Sequence, residues 1–238
     1  MKIKFSRAII PNFFTLMNIY MGFMALISIH NSEFTRAASY ILLAGIFDAL
    51  DGFMARLTKS ASEFGIQLDS LCDAVSFGVV PSFLLWKIYL FQLGEFGILL
   101  ASLPALTGVM RLARFNVRSA TLQDKQYFEG MPIPLGALMI ISFIIFIYMK
   151  NYFTPEWNNG MLIGISVLTS LLMVSKIKFE NLPRPSKKYI KSKPIFFSIF
   201  VIAIIAIIAT KGMMIFPFMI LNVIYASVRT LVLNFKKN

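Results

Sequence analysis

At 238 residues, 58% of them hydrophobic and only 14% charged, with a mean hydropathy of +0.74, the chain carries more apolar side chain than a soluble domain of that length buries. Its long apolar runs predict an all-α fold, a polytopic transmembrane helix bundle. The net charge of +12 would suggest nucleic acid in a soluble protein, but here the basic residues lie between apolar segments, where they suit anionic lipid headgroups, and no nucleic-acid partner is expected.

Residues 1–8 are basic and amphipathic and suit the membrane surface. They resemble a signal peptide only in outline, because no small-residue cleavage site follows. The first predicted span, about 9–29, opens IPNFFTLMN, with Pro11, Asn12, Thr15 and Asn18. A polar turn over 30–36 leads to span two, about 36–56, which carries Asp48 and Asp51 in its second half. After a loop over 58–63, span three, about 64–91, carries Asp69 and Asp73 in its first half. Cys72 lies between them as the one cysteine, which excludes an internal disulfide and a thiolate cluster and reads as a packing residue. Span four, about 96–116, contains Pro104, a predicted kink. A polar loop over 117–130 precedes span five, about 131–149, whose MPIPLGA start suits a helix N-terminus. Residues 150–159 read as an interfacial loop and about 160–176 as span six. The basic stretch 177–193 precedes spans seven and eight, about 194–210 and 213–232. The expected division is a transmembrane core over 1–176, a basic cytoplasmic linker over 177–193 and a two-helix extension over 194–238.

With the N-terminus inside, 19 of the 23 Lys and Arg fall on the inner side, and only Arg36, Lys87, Lys150 and Lys211 lie on or near the outer one. This bias predicts about eight spans with both termini cytoplasmic, in the cell membrane. It also puts all four aspartates of spans two and three near the cytoplasmic boundary.

Those aspartates organise the chain. Asp48 and Asp51 are spaced i, i+3, and Asp69 and Asp73 i, i+4, so each pair shares one helix face. The short loop between the spans predicts antiparallel packing, with the pairs facing each other. Four carboxylates in an apolar layer repel strongly unless they hold cations. Oxygen-only ligands suit Mg²⁺, Mn²⁺ or Ca²⁺, and two metals are a natural load for four such groups. Two-metal sites commonly serve phosphoryl or phosphatidyl displacement. Gly52 allows close approach of a ligand, the Arg56 guanidinium suits a diphosphate, and Gly65 opens a helix whose free N–H groups can meet phosphate. Ser62 also suits the helix cap. Asn12 and Thr15 are polar and one turn apart at the start of span one, near the cytoplasmic side.

The spacing D-x2-D-G-x2-A-R-x8-G-x3-D-x3-D, met at Asp48, Asp51, Gly52, Ala55, Arg56, Gly65, Asp69 and Asp73, is the signature of the CDP-alcohol phosphotransferase family, which the chain resembles. The resemblance implies a membrane enzyme with a six-helix core, usually a homodimer, that transfers a phosphatidyl or similar group from a CDP-activated donor to an alcohol and releases CMP. It implies that the four aspartates bind two Mg²⁺ or Mn²⁺ ions and that Asp73 is the general base. It also implies that Gly52, Arg56, Ser62 and Gly65 lie near the nucleotide and its diphosphate, and it makes Asn12 and Thr15 candidates for a cytidine contact.

Three further stretches narrow the alcohol. LDSLCDAVSFGVVPS over 68–82, RLARFNV over 111–117 and FEGMPIP over 128–134 resemble the phosphatidylserine synthase branch of that family. The substrates expected from the resemblance are CDP-diacylglycerol and L-serine, with the lipid tails among membrane lipids and the site open to the cytoplasm. Arg111 and Arg114, spaced i, i+3, are candidates for the serine carboxylate, and Ser76 and Asn116 for the rest of the acceptor site. Glycerol 3-phosphate or inositol phosphate as acceptor stays open, since a phosphate also suits paired arginines. So does, from another class, a divalent-cation transporter, although the outer halves of spans two and three offer few polar groups for a path.

Overall fold

The computed structural model describes residues 9–58, 60, 62–119, 127–180, 205–207 and 209–235. Residues 1–8, the expected basic lead, and most of 194–210, the expected seventh span, lie outside them. Among the described residues, seven helical segments are long and apolar enough to cross a membrane, and the fold is the expected all-α polytopic bundle.

Helix α1 (Ile9–His30) and helix α2 (Phe34–Thr58) form an antiparallel hairpin. The turn between them is a Schellman closure, with the Glu33 N–H bonded to Ser28 O at 2.8 Å and the Ser32 N–H to Ile29 O at 2.9 Å. Ser32 takes the left-handed conformation, φ 62°, that such a closure requires. The buried residues of α1 are Pro11, Thr15, Asn18, Gly22, Ala25, Ser28 and Ile29, a stripe of small and polar side chains. The opposite face shows Phe13, Leu16, Tyr20 and Phe23, as a lipid-facing surface should.

The third span is α3 (Glu63–Asp73), a π-helical turn (Ala74–Val79) and α4 (Val80–Ile88) in continuous succession. The π turn begins directly after Asp73, and π turns inside α-helices frequently mark functional sites. A short 3₁₀ turn and Gly94, at φ 58°, then reverse the chain into α5 (Gly94–Ser119). Pro104 sits inside α5 and removes the N–H that would bond the Leu100 carbonyl. Neighbouring helices repair the gap: the Ser166 hydroxyl donates to Leu100 O at 2.6 Å, and Ser82 Oγ accepts from the Ala105 N–H at 3.1 Å. Inside a membrane such repair is what makes an interior proline tolerable.

Helix α6 (Ile133–Phe146) is the central post, with Ile133, Met139, Ile140 and Ile144 fully buried, and it packs against α2, α4 and α5 as well as the two helices that follow. Helix α7 (Pro155–Val174) begins five residues earlier than the sequence suggests, because Pro155 occupies the first helical position, where its missing N–H costs nothing. Helix α8 (Ile215–Phe235) packs at the edge, against α6.

One feature is absent from the sequence reading. Tyr127–Glu129 and Lys178–Glu180, expected in a loop and in a linker, pair as an antiparallel ribbon with Phe128 opposite Phe179. These are strands β1 and β2. The Lys178 N–H also donates to Thr230 Oγ1 of α8 at 2.9 Å. Three-residue strands leave too little alternation to be read from sequence.

Candidate active site

Helices α2 and α3 bring the two aspartate pairs together, but not by packing along each other as the short loop suggested: both lie against α1, which holds them so that their aspartates converge. Single carboxylate oxygens of Asp48, Asp51 and Asp69 all lie within 4.8 Å of one another. The Asp48 carboxyl interacts with those of both Asp69 and Asp73, so the fourth aspartate joins the cluster. Asp51 and Asp73 are buried, and Asp48 and Asp69 half-buried. None of the four has a Lys or Arg ion pair among the described residues. Asp51 Oδ2 and Asp69 Oδ1 are buried with no hydrogen-bond partner there. An unsatisfied buried acceptor costs about 1–3 kcal/mol, and more when it is charged. Oxygen donors, crowded, anionic and unsatisfied, are the donor set that a hard divalent cation takes. The residues therefore fit a metal centre.

Around this cluster the structure gathers the residues expected at the nucleotide. The Thr15 hydroxyl lies beside the Asp51 carboxylate and donates to Pro11 O at 3.1 Å. A Cβ on Gly52 would lie 3.6 Å from an Arg56 terminal nitrogen, so the exposed guanidinium folds over that glycine. A Cβ on Gly65 would lie 3.2 Å from Ser62 Oγ and 3.6 Å from Asn12 Oδ1, which brings Asn12, Ser62 and Gly65 to one point between α1 and α3. Ser62 is the α3 cap, accepting from the Gly65 N–H at 3.1 Å.

The residues expected at the acceptor are less uniform. Arg111 is buried, 5.8 Å above the Phe115 ring, and within the electrostatic reach of Asp73. Arg114 closes the C-terminal end of α7, donating to Met173 O and Val174 O at 3.2 Å each. Gly130, at φ 79°, lets the chain pass beside that contact, where a Cβ would collide with Met173 O. Asn116 donates to Ser70 Oγ at 2.9 Å and ties α5 to α3. Ser76 is wholly buried and donates to the Asn18 carbonyl at 3.2 Å. Of the four, Arg114, Asn116 and Ser76 make bonds between helices.

A further residue, on the buried face of α1, belongs to the site. Asn18 is fully buried, and its amide donates to Asp73 Oδ1 at 3.0 Å. The signal was present: an amide on the small-residue face of a membrane helix needs a reason to be there. Cys72 is buried with a free thiol and packs, as expected.

Residues 8–174 match the CDP-alcohol phosphatidyltransferase family. The chain is 36% identical over 171 residues, 72% of its own length and 71% of the other, to a CDP-diacylglycerol–serine O-phosphatidyltransferase of Helicobacter pylori. It is 36% identical over 183 residues, 76% and 78% of the two lengths, to a protein of the same name from Methanocaldococcus jannaschii. It is 32% identical over 174 residues, 72% and 70%, to an archaetidylserine synthase of Methanothermobacter thermautotrophicus. With Asp48, Asp51 and Asp69 gathered at the motif spacing and the match running from α1 to the end of α7, the chain belongs to the CDP-alcohol phosphatidyltransferase family.

Proposed function

We propose that this chain transfers the phosphatidyl group of CDP-diacylglycerol to L-serine and releases CMP. The observation that carries the reaction class is the convergence of Asp48, Asp51 and Asp69 within 4.8 Å at the family's spacing. Support for the acceptor comes from the relatives, whose names keep serine while the lipid changes from diacylglycerol to archaetidyl.

In this reading Asp48, Asp51, Asp69 and Asp73 hold two divalent ions, Mg²⁺ or Mn²⁺. When bound, these supply charge neutralisation at the diphosphate and at the departing CMP. Asn12, Thr15, Gly52, Ser62 and Gly65 form the nucleotide side, and Arg56 reaches the diphosphate. Arg111 binds the serine carboxylate, with Arg114, Asn116 and Ser76 bracing the acceptor side. Asp73 takes the serine hydroxyl proton as the oxygen–phosphorus bond forms and the bond from phosphorus to CMP breaks. The site faces the cytoplasm from the cell membrane, the acyl chains stay in the bilayer, and the enzyme works as a homodimer.

The test is CMP release by purified protein given CDP-diacylglycerol, Mn²⁺ and labelled serine. Serine-dependent release is expected, with kcat lowered about 10²–10⁴-fold in Asp73→Asn. Release only with glycerol 3-phosphate or inositol phosphate would move the acceptor. Mn²⁺ uptake into proteoliposomes without CMP chemistry would make the protein a transporter instead.

A further inference from the structure

We propose that Asn18 is the positioning residue for Asp73, fixing the orientation of its carboxylate. The inference rests on Asp73 being the base in the reading above. An ionised carboxylate only accepts hydrogen bonds, so the Asn18 amide must turn its nitrogen toward it, and it does so at 3.0 Å. Asp73 Oδ1 is thereby held and the plane of the carboxylate set. The other amide atom, Asn18 Oδ1, is buried without a hydrogen-bond partner among the described residues. Asp73 is therefore what orients this side chain.

The same residue is gripped a second time. Ser76, in the π turn that begins one residue after Asp73, donates to the Asn18 backbone carbonyl at 3.2 Å. Gly22, one turn along α1, makes that approach possible, since a Cβ there would lie 2.5 Å from Ser76 Oγ and 3.2 Å from Ser76 Cα. Side chain to Asp73 and backbone to Ser76, Asn18 clamps both sides of the junction where α3 passes into the π turn. A π turn shifts the residues after it around the helix axis, and here it brings Ser76 to bear on the residue that Asp73 also meets. Two bonds 55 and 58 residues apart in sequence thus converge on one asparagine.

The experiment is a double-variant cycle on the full chain, read first by Mn²⁺ binding without substrates. Asn18→Leu keeps the volume and removes the donor, and Asn18→Asp keeps the shape and removes the donor while ionised. Each is expected to weaken Mn²⁺ binding about tenfold, as loss of an outer-sphere orienting group does. In an Asp73→Asn background Asn18→Leu is expected to add nothing, because its effect runs through Asp73. Additive losses, or wild-type binding in Asn18→Leu, would overturn the proposal. The second reading is kinetic, with whichever alcohol the wild type uses, so that failure of serine sinks the serine reading and leaves this comparison standing. There kcat is expected to fall about 10–100-fold with KM for donor and acceptor within about twofold. A raised donor KM with kcat intact would make Asn18 a nucleotide contact and overturn the positioning role. Should the Asn18 variants fail to fold, Ser76→Ala decides: a severalfold loss of kcat at unchanged KM supports the clamp, and wild-type kcat or a raised acceptor KM overturns it.

Discussion

The four carboxylates act as one group, because like charges this close cannot be held independently in an apolar layer. Charge removal at any one of them changes the demand on the other three, so single substitutions should not be additive. Arg111 differs in kind. Its guanidinium is buried beside the cluster and supported from one side by the Phe115 ring. Lysine there would keep the charge and lose the planar fork. On the serine reading, Arg111→Lys is expected to raise the serine KM about 10–100-fold, equivalent to the ~1.5–3 kcal/mol of hydrogen bonds to a charged group, with donor KM unchanged. A kinetic series at saturating CDP-diacylglycerol checks it.

Among the helices, the most informative is α5, which tolerates Pro104 only because its neighbours complete it. Ser166 on α7 and Ser82 on α4 bond to the backbone groups left open at Leu100 and Ala105. Ser166→Ala should leave the buried Leu100 carbonyl unsatisfied and destabilise the fold by about 1–3 kcal/mol. Ser82→Ala should cost a similar amount, and thermal unfolding in detergent measures both. Arg111, Arg114 and Asn116 lie at the far end of the same helix. Their positions depend on the axis that this repair holds and on the Arg114 closure of α7. Either variant is therefore expected to affect the acceptor KM more than the donor KM.

Across the whole molecule, the cluster is a store of repulsion set in a bundle held largely by packing. A cation that binds the folded chain and relieves the repulsion stabilises it by mass action, about 2.7 kcal/mol at one hundred times its dissociation constant. Added Mn²⁺ is expected to raise the melting temperature by several degrees, EDTA to reverse the rise, and Asp48→Ala or Asp69→Ala to abolish it. Orientation is a second whole-molecule property. On a Cys72→Ser background, Lys87→Cys should react with an impermeant thiol reagent from outside intact cells, and Lys237→Cys only after the membrane is opened. The reverse pattern would invert the topology that the charge bias predicts.

The aspartate spacing and the hydropathy profile sufficed to reveal the bundle, the reaction class expected of it and the convergence of the α2 and α3 aspartates. Those properties are local: a 20-residue apolar run and a helical repeat are written in neighbouring residues. The tertiary structure alone decided what crosses between distant segments. It paired Tyr127–Glu129 with Lys178–Glu180, turned Arg114 toward the end of α7, and brought the Ser76 hydroxyl to the backbone and the Asp73 carboxylate to the side chain of Asn18. No periodicity encodes such contacts, because each depends on which helix faces meet and on a π turn that shifts the register after Asp73. The acidic stretch was legible because its chemistry is costly anywhere in a membrane; its partner on α1 became legible only once the helices were packed.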